Sequence, residues 1–124
     1  MQHNRDLYYL EQMVYHAEEA LEFFSQIDNS EERLFNDSLY QKGISKSLEQ
    51  MGEMLAVGRI SEELQERYNY IPWRAIKGYR NMGVHEYDRI DWSEVSALLK
   101  SELRGNIADL QMIIRKERMK NKQL

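Results

Sequence analysis

The chain has 124 residues, of which 42% are hydrophobic and 31% are charged, and this length suits a single domain. It contains 6 glycines, 1 proline and no cysteine, which argues against a turn-rich all-β fold and excludes disulfides, cysteine-based zinc sites and thiol nucleophiles. The formal net charge of −4 is atypical of a nucleic-acid-binding protein. Because no apolar stretch suits a signal peptide or a membrane span, we expect a cytoplasmic protein.

The charge is distributed unevenly along the chain. Residues 1–71 carry 6 Lys and Arg against 14 Asp and Glu. Residues 72–90 carry 4 against 2, and residues 115–124 carry 5 against 1. Positive charge therefore follows the only proline, Pro72, in two short patches. Such an asymmetry points to an anionic partner.

Hydrophobic residues recur at helical spacing in the first half of the chain. A stripe with alternating steps of three and four residues predicts a helix over about residues 4–26; its members are Leu7, Leu10, Val14, Ala17, Leu21 and Phe24. Asp28, followed three residues later by Glu31, predicts the start of a second helix, which we expect to end at Gly58. A short helical turn begins at Ser61 and fades near Tyr68.

Two further helices are predicted in the second half. Pro72 suits the first turn of a third helix, where its missing N–H would have no intrahelical partner, and we expect this helix to run to about Val84 or Tyr87. Asp91 caps a fourth helix. Gly105 within that helix is locally unfavourable, and we attribute it to close helix packing.

Four helices with short connections predict an all-α fold, an antiparallel four-helix bundle with one short extra helical turn. We expect a single domain over residues 1–118. A basic, frayed tail over residues 119–124 would follow it.

One segment after the proline concentrates polar side chains, since Arg80, Asn81, His85 and Tyr87 fall within eight residues. Arginine offers a fixed cationic fork for phosphate, and histidine can accept or donate a proton near neutral pH. Together they suffice for RNA cleavage without a metal ion: the 2′-hydroxyl attacks the adjacent phosphate, histidine acts as base or acid, and arginine stabilises the developing charge. Asn81 can hold either group or a phosphate oxygen.

Regular helical geometry constrains such a site. Five residues rotate a helix by about 140°, so Arg80 and His85 would not point the same way. Either the helix distorts between them, which Gly83 would allow, or a second chain completes the site. Arg80 and Tyr87 share a face if the helix persists. A twofold dimer axis would bring two copies of each group together.

The stretch RNMGVHEY at residues 80–87 resembles the Arg-x4-His-x-Tyr signature of the HEPN superfamily. With the Pro72-Trp73 start and the helical pattern over nearly the whole chain, it is more closely similar to the HepT family. The resemblance implies a HEPN bundle that acts as a metal-independent, homodimeric RNA endonuclease without a cofactor, the toxin of a bacterial or archaeal toxin–antitoxin pair. Arg80 and His85 would be the catalytic pair in a cleft shared by both subunits, with Asn81 supporting them.

The same resemblance implies a partner and a mode of regulation. The antitoxin would be an MntA-type nucleotidyltransferase that transfers AMP from ATP onto Tyr87 and silences the toxin. AMP at this position would compete with RNA phosphate for Arg80 and His85. Gly83 departs from the motif, which often carries a larger apolar residue there, so we expect a looser helix end.

Other interpretations stay open. Arg74, Lys77 and Arg89 are candidates for guiding the RNA backbone by charge, or are ordinary solvated basic residues. Arg80 could form a surface salt bridge, and Tyr87 could pack in the bundle. The main alternative function is a non-catalytic HEPN subunit that binds nucleotide or regulates a nucleotidyltransferase partner. A third is an interaction protein whose motif shapes a dimer interface.

Overall fold

The structure, a computed structural model, describes residues 2–84 and 89–123, and all the secondary structure of these residues is helical. In chain order the elements are α1 (Gln2–Gln26), α2 (Glu31–Phe35), α3 (Ser38–Glu53), α4 (Glu62–Arg67), α5 (Trp73–Lys77), a 3₁₀ segment (Gly78–Val84), α6 (Trp92–Ala97), a π turn (Leu98–Glu102) and α7 (Leu103–Gln123). The all-α prediction is confirmed for this part of the chain. None of the helices described is both long and apolar enough to cross a membrane.

The first helix, α1, closely matches the predicted range, and its apolar stripe faces the core. Fully buried members of the stripe are Leu10, Ala17 and Phe24. The helix packs against both α3 and α7. It runs antiparallel to α7, since Asn4 contacts Asn121 whereas Glu18 contacts Gln111.

The predicted second helix is divided in two and begins at a different residue. Ser30 caps α2, because its hydroxyl accepts a hydrogen bond from the backbone N–H of Arg33. The prediction that Asp28 starts this helix is wrong: its φ of 60° lies in the left-handed region, and its carboxylate pairs with the Arg33 side chain at 2.8 Å. A second cap, Asp37, starts α3 after a short break.

The loop after α3 is held by the first helix. The second predicted helix ends at Glu53 rather than at Gly58, which has a φ of 86° in the loop. The predicted helical turn is confirmed as α4, with Ser61 as its N-cap and Tyr68 as its C-cap. Asp6 of α1 accepts hydrogen bonds from the backbone N–H and the hydroxyl of Ser61, both at 2.7 Å.

The predicted third helix keeps α-helical geometry for only five residues, in α5. The chain then continues as the 3₁₀ segment, against which α3 packs. In the described ranges, three helices exceed ten residues: α1, α3 and α7. The segment predicted as the third helix consists of α5 and the 3₁₀ segment.

The last predicted helix begins as expected, because the Asp91 side chain accepts hydrogen bonds from the backbone N–H groups of Ser93 and Glu94. It passes through the π turn, which the sequence pattern does not predict. A Cβ atom at Gly105 would meet nothing within 4 Å, so the attribution of this glycine to close packing is wrong. The helix α7 continues to Gln123, and the domain end that the sequence predicts at residue 118 stays a prediction.

A buried glutamate ties α4 to α7. Glu117 accepts a hydrogen bond from the Tyr68 hydroxyl at 2.7 Å and lies 3.1 Å from both Arg67 Nη2 and Lys120 Nζ. Burial raises the pKa of this carboxyl, but the hydrogen bonds from Tyr68 and Lys120 and the two positive charges outweigh it, so the pKa of Glu117 is lowered. Burial and the neighbouring carboxylate raise the pKa of Tyr68 to about 12.

Candidate functional site

Two buried side chains anchor α5 and thereby orient its basic residues. Trp73 is 8% exposed, and its indole N–H donates to two backbone carbonyls at the end of α4, both at 3.0 Å. Ile76 is fully buried one turn later. Helical spacing therefore directs Arg74 and Lys77 away from the core, and both are exposed.

A glycine on α3 lets the chain approach closely where α5 ends. A Cβ atom at Gly52 would lie 2.7 Å from the carbonyl oxygen of Ile76 and 2.9 Å from the backbone nitrogen of Arg80. Both neighbours are backbone atoms, so only glycine fits the observed approach. The change from α to 3₁₀ geometry occurs at Gly78, inside this contact. The helix is therefore distorted before Gly83, the position at which the sequence suggests flexibility.

Arg80 forms an ion pair with the last residue of α3. Its Nε donates to Glu53 Oε2 at 2.9 Å, and the two side chains are 39% and 32% exposed. The alternative of a salt bridge at Arg80 is thus present in the structure. It does not exclude a phosphate contact, because a bond through Nε leaves the Nη edge of the guanidinium for an oxyanion.

Arg80 lies in a shallow groove with two other basic residues. This cationic groove has a volume of about 470 Å³ and is lined by Arg74, Lys77, Arg80 and Asn81, with Glu53 and Gly78. Among the described residues that line it, three are cations and one is a carboxylate, so this part of the surface is locally positive, although the whole chain is acidic. Two of the three candidate RNA-guiding residues are therefore brought together with Arg80 and Asn81.

The third candidate, Arg89, lies apart in a second groove of about 640 Å³. We call this the acidic groove, because its charged lining residues in the described part of the chain, besides Arg89, are Asp91, Glu94 and Glu102. Tyr79 also lines it, and burial together with the charge of Glu102 raises the pKa of Tyr79 to about 12. The excess of carboxylates disfavours a phosphate backbone here.

Asn81 lines both grooves and so marks their boundary. His85 and Tyr87 lie outside the described residues, so their predicted roles rest on the sequence. The structure adds two residues that the motif does not contain, Gly52 and Glu53. The sequence contains one local indication of the role of Glu53. A carboxylate at the last residue of a helix is unfavourable near the negative end of the helix dipole, so a cationic partner is expected.

The described residues thus define a class of protein: an all-helical domain in which α3 and a distorted helix end hold an arginine in a basic groove. Comparison with known proteins agrees. The model of the family described as "Ribonuclease HepT-like" matches residues 15–117. The chain belongs to this family.

Relatives cover most of the chain at low identity. The chain is 28% identical to Putative RNase MJ1380 of Methanocaldococcus jannaschii, over 70% of this chain and 76% of that protein. It is 27% identical to Putative RNase TTE0752 of Caldanaerobacter subterraneus subsp. tengcongensis, over 89% of this chain and 95% of that protein. No solved structure matches the chain.

Proposed function

We propose that this protein is a metal-independent RNA endonuclease and the toxin of a toxin–antitoxin pair. The observation that carries the proposal is the cationic groove around Arg80 in a chain of the HepT-like ribonuclease family. RNA supplies the phosphates that a groove with three basic side chains attracts. Family membership and the names of the relatives support ribonuclease activity as the reaction.

The proposed reaction uses the RNA's own nucleophile. The 2′-hydroxyl loses its proton to a His85 imidazole and attacks the adjacent phosphorus, while Arg80 stabilises the negative charge on the phosphoryl oxygens. The bond from phosphorus to the 5′-oxygen breaks, and a protonated histidine supplies a proton to that leaving oxygen. The products are a 2′,3′-cyclic phosphate and a 5′-hydroxyl end. Asn81, beside Arg80 in the cationic groove, would hold a phosphate oxygen.

We further infer a homodimer of antiparallel HEPN bundles, in which α5 and the 3₁₀ segment stand in for the fourth helix. A twofold axis beside the cationic groove would bring two His85 side chains to one cleft, so that one acts as base and the other as acid. It would also double the local positive charge, which favours RNA over the background of an acidic chain.

Regulation would act on the same cleft. An MntA-type nucleotidyltransferase would transfer AMP from ATP to the Tyr87 hydroxyl, with release of pyrophosphate. The new phosphodiester is an anion close in sequence to Arg80. It would occupy the groove that the RNA phosphate needs and silence the enzyme.

The function is tested with purified protein and RNA in the presence of EDTA. We expect cleavage with cyclic phosphate ends by the unmodified protein, and at least a 100-fold loss in both Arg80→Ala and His85→Ala, since each removes a catalytic group. Arg104→Ala, which removes an exposed arginine of α7, is the control and should keep full activity. Full activity in either motif variant refutes the assignment. RNA or nucleotide binding without cleavage would instead support the non-catalytic alternative.

The regulation is tested by co-expression with an MntA-type nucleotidyltransferase. Intact mass should increase by one or more AMP units, and Tyr87→Phe should abolish the increase. Tyr70→Phe is the matched control, because Tyr70 is 57% exposed and lies outside the motif. An unchanged mass increase in Tyr87→Phe would place the modification elsewhere.

A further inference from the structure

Two consecutive residues of α3 contact Arg80 at different atoms. Gly52 lies against its backbone nitrogen, where an added Cβ would be 2.9 Å away. Glu53 accepts a hydrogen bond from its side-chain Nε at 2.9 Å. The main chain and the guanidinium of the same arginine are therefore both held by the end of one helix, 27 residues earlier in the chain.

The position of Glu53 at the end of α3 is electrostatically unfavourable for a carboxylate, and we therefore expect its role to involve its partner. It is the last residue of α3, where the partial negative charge of the helix dipole opposes a carboxylate. The pair with Arg80 offsets this opposition. Because both side chains are partly exposed, the pair contributes little to folding stability, so stability alone is a weak reason for placing an acid here.

The bonding atom points to a specific role. The hydrogen bond uses Nε, so it restrains the orientation of the guanidinium and leaves the edge formed by its two Nη groups for a bidentate contact to phosphate. Arg74 and Lys77 line the same groove and offset the negative charge that Glu53 brings to it.

We propose that Glu53 is a positioning residue that holds Arg80 in the orientation needed to stabilise the transition state of RNA cleavage. This inference rests on the proposed function. The opposite role would be an inhibitory contact, in which Glu53 competes with phosphate for Arg80. The two roles differ in sign, because loss of a positioning residue lowers the turnover number kcat, whereas loss of an inhibitory contact raises it.

The first experiment measures kcat and KM for RNA cleavage in Glu53→Ala and Glu53→Gln. We expect kcat to fall about 10- to 100-fold in Glu53→Ala, since small misplacements of a reacting group have effects of this size. The loss should be smaller in Glu53→Gln, whose amide oxygen can still accept from Nε. KM should change less than threefold. Glu49→Gln is the control: this residue is one turn earlier in α3 and pairs with Lys46 at 3.7 Å. It should remain within twofold of wild type.

Unchanged or increased kcat in Glu53→Ala, with an active wild type, overturns the inference and leaves the proposed function standing. A wild type that does not cleave RNA overturns the proposed function first, and the inference with it. Equal losses in Glu53→Ala and Glu49→Gln would show a general effect on α3 and would also overturn the inference.

A second measurement does not depend on activity. In ¹⁵N NMR spectra, the Arg80 Nε–H signal, assigned by its loss in Arg80→Lys, should exchange slowly with water in the wild type. It should exchange at least tenfold faster in Glu53→Ala and remain slow in Glu49→Gln. Equal exchange in wild type and Glu53→Ala would show that Glu53 does not hold the guanidinium, and would overturn the inference even if Glu53→Ala fails to give measurable kinetics.

Discussion

The substitution Gly52→Ala tests how the fold positions the candidate site. The added Cβ would lie 2.7 Å from the carbonyl oxygen of Ile76 and 2.9 Å from the nitrogen of Arg80, whereas ordinary contact begins at 3.4 Å. The backbone at the junction of α5 and the 3₁₀ segment must therefore retreat by about half an ångström or more. Since both neighbours are backbone atoms, no side-chain rotation relieves the contact.

Two opposing effects set the expected stability. Overpacking costs about 1–3 kcal/mol, and replacing glycine by alanine in a helix gains at most about 1 kcal/mol. We therefore expect Gly52→Ala to be destabilised by about 0–3 kcal/mol, small enough for the fold to persist. Cleavage should decrease more, by about tenfold or above, because a displacement approaching 1 Å can cost about 100-fold in rate.

The assay combines urea unfolding with RNA cleavage, and a second glycine supplies the control. A Cβ at Gly105 would meet nothing within 4 Å, so Gly105→Ala should be stabilised by about 0.5–1 kcal/mol with unchanged cleavage. If Gly52→Ala is as active as wild type and gains as much stability as Gly105→Ala, then the close approach of α3 does not position Arg80.

Two further predictions concern charge. The double variant Arg74→Gln/Lys77→Gln should weaken RNA binding and reduce the slope of log K against log salt by about 1.4, since each contact to a single-stranded phosphate contributes about 0.7. Arg104→Gln should leave the slope unchanged. An equal effect of the double variant and of Arg104→Gln would contradict a localised groove. The pKa of Glu117 is lower in the folded state than its ordinary value of 4.5. The charged carboxylate therefore stabilises the folded state at pH values above 4.5, and this stabilisation is lost as the pH falls through the pKa of the folded state. The free energy of unfolding of Glu117→Gln should therefore be lower than that of wild type by about 1–3 kcal/mol at neutral pH. In urea unfolding, it should also fall less steeply as the pH is lowered. A fall as steep as in wild type would mean that Tyr68 and its neighbours do not stabilise the charged carboxylate.

Many of the helices and their caps can be predicted from the order of the residues. The helical period of about 3.6 residues predicts α1 almost to its ends, because a helix that packs on one side must place apolar residues on that side. The caps at Ser61 and Asp91 are also predictable, since a cap is a contact within four residues. Asp28 shows the limit of such local rules: Ser30, two residues later, offers an equivalent oxygen and is the cap that forms.

Gly105 and Gly52 illustrate why the rest of the structure cannot be predicted from neighbouring residues. Gly105 is unfavourable in its helix and invites an explanation from packing, yet it faces open space. Gly52 attracts no notice in the sequence, although its missing side chain admits the backbone of Arg80. Which glycine lies against another segment depends on how helices dock, and helical spacing does not contain that information.

Part of the candidate site can likewise be predicted from the sequence, and the rest depends on the fold. Residue types predict the chemistry that Arg80 and His85 could perform, whereas the role expected of Tyr87 comes from the resemblance of this stretch to the HepT family. Folding adds the partner of Arg80, because Glu53 lies 27 residues away and meets it only when α3 packs on the 3₁₀ segment. Folding also groups Arg74 and Lys77 with Arg80 and places Arg89 in a separate groove. These are contacts between segments distant in the chain, and they arise from the docking of whole elements rather than from the order of neighbouring residues.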